Sequence, residues 1–244
     1  MIRLKSITKS LLIVSLLWLT ACATTGPNGE VNVDPYEGFN RKIFGFNDGL
    51  DRYILKPVAK GYRYITPNFI ERGVSNFFSN LSEVGSLVNA TLQGKPTQGA
   101  KHTGRFLINS TLGIGGLFDI AKHMNLEKDD REDFGQTLAV WGVNSGPYLV
   151  LPFLGSSTIR GGVSIPVNNA LDPLTYYPEH AETRLGLNTL EIIDLRASLL
   201  KAEEFISGDR YLFIRDAYLQ RREYLINDGK IEDDFGGDDD ELDF

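Results

Sequence analysis

The stretch from Phe134 to Leu171 restricts the fold of this chain more than any other, because Arg160 is its sole charged residue. A run so poor in charge suits a place away from water, either a protein core or a surface against lipid. It cannot be one membrane-crossing helix. Gly142, Gly146, Pro147, Pro152, Gly155 and Pro166 interrupt it, and proline removes a backbone donor and blocks the preceding turn. The stretch must break into short pieces whose backbone groups still find partners. We expect a short helix over residues 136–141 and an extended piece at 148–151 opposite it across Asn144-Ser145-Gly146. A helix should follow over residues 158–170. Taken alone, the stretch fits a lipid-facing wall and an ordinary core equally well.

The beginning of the chain bears on that choice. Arg3, Lys5 and Lys9 precede an apolar run, Leu11 to Leu19, which is shorter than the ~20 residues that a spanning helix needs. It ends in Leu19-Thr20-Ala21-Cys22. This resembles a bacterial lipobox, in which the cysteine sulfur is the nucleophile that receives diacylglycerol. Cleavage before Cys22 makes residues 1–21 a signal peptide, and residues 22–33, with Thr24-Thr25-Gly26-Pro27-Asn28-Gly29, read as a flexible tether. Two or more acyl chains anchor stably where one does not. Ala23 follows the cysteine instead of an aspartate, which favours sorting to the outer membrane.

The body, residues 34–229, reads as helical. Asp34-Pro35-Tyr36-Glu37 carries the signals of a capped helix start. Phe39, Ile43, Phe46, Leu50 and Tyr53 then recur at helical spacing, with Asn40 and Asn47 on an adjacent stripe, and Pro57 is expected to interrupt. Thr66-Pro67 opens a second helix, with a polar break at Ser79-Asn80. A third begins near Thr97, carries His102, Arg105, Phe106 and Asn109, and runs into Thr111-Leu112-Gly113-Ile114-Gly115-Gly116. Two amphipathic helices close the body, one through Ile192, Leu195, Leu199, Ala202 and Ile206, the other through Tyr211, Ile214, Tyr218 and Leu225. Few segments alternate with period two, so the class is mainly α with a small hairpin, in one domain.

Charge narrows the function. The formal net charge is −7; loss of the three leader cations makes it −10, and the eight acids between Glu232 and Asp243 leave the body near −2. A nearly neutral body lacks the basic face that nucleic acid requires. Residues 230–244 read as an acidic, solvated tail. Cys22 is the single cysteine, so neither an intrachain disulfide nor a thiolate cluster can form. His102, His123 and His180 lack zinc spacing, and no nucleophile elbow is present, so we expect no metal, no cofactor and no catalytic residues. Gly113-Ile114-Gly115-Gly116 lacks the lysine of a phosphate loop and reads as a tight bend between packed helices.

Several segments resemble the MlaA/VacJ family of outer-membrane lipoproteins. They are Asp34-Pro35-Tyr36-Glu37-Gly38-Phe39-Asn40-Arg41 with Phe46-Asn47; Val88-Asn89 with Leu92-Gln93-Gly94; Arg105-Phe106-Leu107-Ile108-Asn109-Ser110-Thr111-Leu112-Gly113-Ile114-Gly115-Gly116; Phe134-Gly135-Gln136 through Gly146-Pro147-Tyr148; and Arg215-Asp216-Ala217-Tyr218. The resemblance implies a ring-like bundle of amphipathic helices embedded in the inner leaflet of the outer membrane of a Gram-negative bacterium, enclosing an amphipathic channel. It implies removal of stray phospholipid from the outer leaflet, handover to a periplasmic carrier of the MlaC type, and association with trimeric porins. An adaptor lipoprotein that scaffolds porins without carrying lipid is the alternative. The chain departs from the family pattern at Asn144-Ser145, at Gly161, and at Arg210, where proline is usual.

A headgroup crossing between leaflets must pass hydrocarbon, which strongly disfavours an unpaired ion. A passage lined by amides, hydroxyls and backbone dipoles lowers that barrier. The expected lining is Asn40 and Asn47 beside Phe39 and Phe46, and Arg105, Asn109, Ser110 and Thr111 beside Phe106. Gly113, Gly115, Gly116, Gly142, Gly146 and Pro147 are the expected hinge or gating positions.

Overall fold

The computed structural model describes residues 32–230. The leader, Cys22, nearly all of the tether and nearly all of the acidic tail lie outside the described residues. Helix α1 spans Glu37–Leu50 and passes through one widened π turn, Asp51–Leu55, into α2, Lys56–Ile65. Helix α3 covers Asn68–Leu92, α4 Pro96–Thr111, α5 Ile120–His123 and α6 Phe134–Val140. A two-stranded antiparallel hairpin follows, β1 Tyr148–Leu151 and β2 Gly155–Thr158, with Tyr148 opposite Thr158. Helix α7 is Ile159–Leu171, α8 Ala181–Ser198 and α9 Arg210–Ile226. Short 3-10 turns at Pro173–Thr175 and Ala202–Phe205 flank α8.

The charge-poor stretch does divide into short pieces, but β1 pairs with Gly155–Thr158 and not with the segment before Asn144. Three other expectations change. Pro57 does not interrupt the helical run; it follows closely on the widened π turn Asp51–Leu55, through which α1 continues into α2. Ser79-Asn80 is no break, because both residues are buried within the continuous α3. Asp34 does not cap α1, whose first turn has no side-chain cap; its carboxylate accepts instead from the Asn40 amide at 2.8 Å and from the Tyr211 hydroxyl. Elsewhere capping holds: Asp133, Thr158 and Asp209 accept from first-turn amides of α6, α7 and α9.

The packing order forms a circuit. Helix α2 lies on α8, α8 on α3, α3 on α6 and α7, α7 on the hairpin, and the hairpin on α1. Since α1 continues into α2, the contacts close on themselves. Helix α4 pairs with α3, and α9 braces α6 and β2. A small apolar core of Tyr148, Val150 and Tyr211, with Ile43, Phe44 and Leu219 against it, sits beneath the hairpin.

The partition of polarity is inverted. Asn40, Glu83, Asn89, His102, Arg105, Asn109 and Thr137 are buried, while several of the buried apolar residues are only alanines. Large apolar side chains lie outside: Tyr64 is 92% exposed, Phe205 78%, Ile65 76% and Phe69 68%. The apolar stripes recognisable in the sequence, Phe39/Phe46 on α1 and Ile192/Leu195 on α8, are among the exposed set. Buried polar groups and exposed apolar patches are the informative departures from a water-soluble fold.

Candidate functional site

The expected polar lining separates into two frames and a few open residues. Asn40 is fully enclosed. Its Nδ2 donates to Asp34 at 2.8 Å and to the Tyr148 carbonyl at 3.0 Å, and its Oδ1 accepts from the Val150 amide at 2.9 Å. Seven residues on, Asn47 donates to the Leu151 carbonyl and accepts from the Phe153 amide, both at 2.9 Å. The two asparagines therefore clamp β1 to α1 by peptide-like bonds. Phe39 and Phe46 are half or more exposed, and Phe46 meets the exposed Phe153 edge-on at 5.3 Å.

Arg105 and Asn109 form the second frame. The Arg105 guanidinium donates to Glu83 at 2.9 Å, bidentately to Asp119 at 3.1 Å, and to the Leu126 carbonyl. His102 Nδ1 lies 2.5 Å from the same Glu83. Asn109 donates to Asp119 at 3.0 Å and accepts from the Ala121 amide at 2.9 Å. A buried charge needs this degree of satisfaction. Ser110 accepts from the Asn80 amide, and the exposed Thr111 hydroxyl turns back to the Leu107 carbonyl. The geometry thus gives the polar atoms of Asn40, Asn47, Arg105 and Asn109 partners within the protein, so these side chains hold the scaffold together.

The glycines divide in the same way. Gly113 has no room for a Cβ, which would stand 2.2 Å from the Phe118 carbonyl and 2.5 Å from that of Asn109; Gly116, at φ +94°, would meet Asn80 at 2.7 Å. Gly115 and Gly142 have positive φ but open surroundings. Around Gly146, whose Cβ would lie 3.0 Å from Ile159, the backbone is tied down: Ser145 and Pro147 carbonyls accept from the Arg160 and Ile159 amides. Arg160, the lone charge of its stretch, also donates to the Val143 carbonyl at 2.7 Å.

What the sequence did not indicate is a pair of amphipathic clefts. One, of about 290 Å³, opens between α3, the end of α7, the Pro173–Thr175 turn and α8. Its apolar wall is Phe78, Leu81, Leu171 and Leu174; Ser82, Asn89, Arg131 and Glu191 supply the polar one. Burial pushes the Glu191 carboxyl above its ordinary value, and nearby Asp172 adds to the effect. The second cleft, also about 290 Å³, lies between β2, α7 and α9, with Leu151, Leu154, Ile165, Ser156, Ser164 and Tyr218 in its walls. Both are bounded by Asp133 and Asn168. Burial works to raise Asp133, but the paired Arg222 guanidinium outweighs it and holds the carboxyl below its usual range. Gly135 lets the two meet, since its Cβ would stand 2.9 Å from the Arg222 guanidinium. Arg131 and Glu191 sit in sequence contexts that resemble ordinary surface charge, so no local signal marks them.

With this geometry in view, comparison with known proteins is decisive. A family model described as MlaA lipoprotein matches residues 32–225. The chain belongs to the MlaA lipoprotein family. Similar proteins include the intermembrane phospholipid transport system lipoprotein MlaA of Escherichia coli (strain K12), 40% identical over 222 residues, covering 88% of this chain and 86% of that protein. The MlaA lipoprotein of Haemophilus influenzae is 33% identical over 232 residues, covering 92% and 93%. A protein of Rickettsia typhi is 45% identical over 204 residues, covering 82% and 80%. A solved structure described as the structural basis for maintenance of bacterial outer membrane lipid asymmetry superposes with a TM-score of 0.71 at 40% identity, over 80% of this chain and all of the other. The mainly helical MlaA architecture with its small hairpin is therefore the architecture expected from the sequence.

Proposed function

We propose that this chain is a lipoprotein of an intermembrane phospholipid transport system, anchored through acylated Cys22 to the outer membrane of a Gram-negative bacterium. It takes stray phospholipid from the outer leaflet and passes it to a soluble periplasmic carrier, beside a trimeric porin. The inverted polarity of the molecule carries this reading. Apolar side chains ring the outside while ion pairs and amide clamps hold the inside, as an object set into a lipid leaflet requires. No described helix is long and apolar enough to cross a membrane, which fits a body lying within one leaflet.

The lipid path in this reading follows the two clefts that meet at Asp133 and Asn168. Headgroups move along Ser82 and Arg131, while acyl chains stay against Phe78, Leu81, Leu171 and the surrounding lipid. Extraction into water would cost ~0.8 kcal/mol per exposed methylene, so handover needs a carrier with its own apolar pocket.

The test reconstitutes the mature lipoprotein in vesicles with labelled phospholipid and measures transfer to a soluble lipid carrier. Transfer above the protein-free rate is expected. Gly85→Leu, which points into the first cleft where the added Cβ meets only Leu171 at 4.0 Å, should slow transfer without loss of folding. A protein that binds porin yet moves no lipid would support the adaptor alternative.

A further inference from the structure

Away from the path just described, a cleft of about 510 Å³ lies between α2 and the Ala202–Phe205 turn. Lys56, Lys60 and Arg63 recur at i, i+4 and i+7, so they share one face of α2. Lys201 and Arg210 face them across the cleft. Much of this charge is already balanced. Glu203 accepts from Lys56 at 3.0 Å, and from Arg196 and Arg210 at 2.8 Å each. Asp51 holds Arg196 at 2.6 Å, and Asp48 lies 3.0 Å from Arg210. Three carboxylates thus settle three cations.

The remaining cations are not settled. Lys60 and Lys201 have no side-chain hydrogen bond or ion pair among the described residues, and Arg63 reaches Glu71 only at 3.9 Å. Glu204 is the further carboxylate on the wall. The mouth of the cleft is therefore basic, on a chain whose formal charge is −7.

An independent observation is apolar. Leu200 and Ile206 line the same cleft. Beside it Tyr64, Leu199 and Phe205 are exposed. On α2 the basic residues occupy one arc, exposed Tyr64 adjoins it and exposed Val58 and Ile65 lie on the opposite side, while Ala59 is buried and the Tyr62 hydroxyl is bonded to Asp194. A helix with an apolar arc flanked by a basic one lies in a membrane interface, with its cations at headgroup level. A free anion would need only the cations; an apolar rim fits an anion that carries acyl chains.

We propose that this cleft binds the phosphate headgroup of an anionic glycerophospholipid and gives the protein a preference for anionic over zwitterionic lipid. The proposal rests on the phospholipid-transport reading and names the lipid class that it favours. Each lysine near a lipid surface contributes an attraction equivalent to about fivefold in affinity for an anionic headgroup.

The test uses the mature lipoprotein in non-ionic detergent, titrated with short-chain phosphatidylglycerol, short-chain phosphatidylcholine and inorganic phosphate. Phosphatidylglycerol should bind the tighter of the two lipids by about 25-fold, the product of two such fivefold factors for Lys60 and Lys201. Lys60→Gln with Lys201→Gln should abolish that preference and leave phosphatidylcholine binding intact, while Lys60→Arg with Lys201→Arg should keep it. Both lysines are exposed, so the melting temperature of the double variant should match the parent and report an intact fold. A preference that survives both glutamines overturns the proposal. So does displacement of phosphatidylglycerol by an equal concentration of inorganic phosphate, which would make the cleft a plain anion site. Loss of the preference with phosphatidylcholine still bound leaves the transport reading standing, whereas a parent protein that binds neither lipid removes both.

Discussion

Asn40 shows how much one side chain holds in this molecule. Its amide satisfies both a strand carbonyl and a strand amide, on residues more than a hundred positions away, as well as the Asp34 carboxylate. Truncation to alanine strands those partners in a buried place, where each orphaned group costs about 1–3 kcal/mol. We expect Asn40→Ala to lower stability by about 2–4 kcal/mol, read as a depressed melting temperature in detergent; an unchanged melting temperature would show that the clamp is dispensable. Glu203 gives a second prediction at this scale. Burial works to raise its carboxyl, but hydrogen bonds from Arg196, Lys56 and Arg210 prevail and lower it from 4.5 to about 2. Its contribution is therefore complete above about pH 4.5 and is lost as the pH falls toward 2. Allowing for solvent screening, it is worth about 1–2 kcal/mol. Acid titration of stability should show this loss in the parent protein and not in Glu203→Gln. The stripe of Asn40 and Asn47, seven apart, is legible in the sequence as something other than solvated surface. Its role is not, because the partners are backbone atoms of a hairpin that no local pattern links to α1.

At the scale of elements, most helix starts are legible because they are short-range chemistry: Asp133, Thr158 and Asp209 each cap the turn that follows. Continuity is harder to read. Neither Pro57 nor Ser79-Asn80 ends a helix: Pro57 follows the widened π turn through which α1 runs into α2, and the buried Asn80 of α3 is bonded to Ser110 on α4. The glycine bend between α4 and α5 is legible as a bend, but its four positions are not equivalent. Gly113→Ala would drive a Cβ into two backbone carbonyls that cannot move without unwinding the end of α4. Gly115→Ala meets open space and carries only the cost of its positive φ, about 1 kcal/mol. The first should abolish or severely lower folded yield, while the second should shift the melting temperature by only a few degrees. Equal losses from both would place the strain in the loop's φ angles and not in its close packing.

For the whole molecule, periodicity locates the apolar stripes but is silent on which way they face. A helix with one apolar side looks the same whether that side meets a core or a membrane, and the distinction lies in what the opposite side meets. Here the opposite sides meet one another through Asn40, Glu83, Arg105 and Asp194, which are buried and bonded. That arrangement predicts an unusual response to mutation. Replacing a large apolar residue in an ordinary core costs about 2–5 kcal/mol, because contacts are lost and a cavity is left. Tyr64, Ile65 and Phe69 make few such contacts, being 92%, 76% and 68% exposed. We expect Tyr64→Lys, Ile65→Lys and Phe69→Lys, combined on a Cys22→Ser background that removes the proposed acylation site, to leave the melting temperature in detergent within a few degrees of the parent. The same variant should float less with phospholipid vesicles and stay monodisperse at lower detergent. The Cys22→Ser parent itself should aggregate when detergent is withdrawn. If that parent is monodisperse in plain buffer, the apolar exterior is not a lipid-facing wall; if the triple variant unfolds in detergent, those side chains are structural after all. Under the proposed function, stability and membrane affinity are carried by different residues, the first by the polar frames and the second by the apolar exterior, and they should respond to substitution separately.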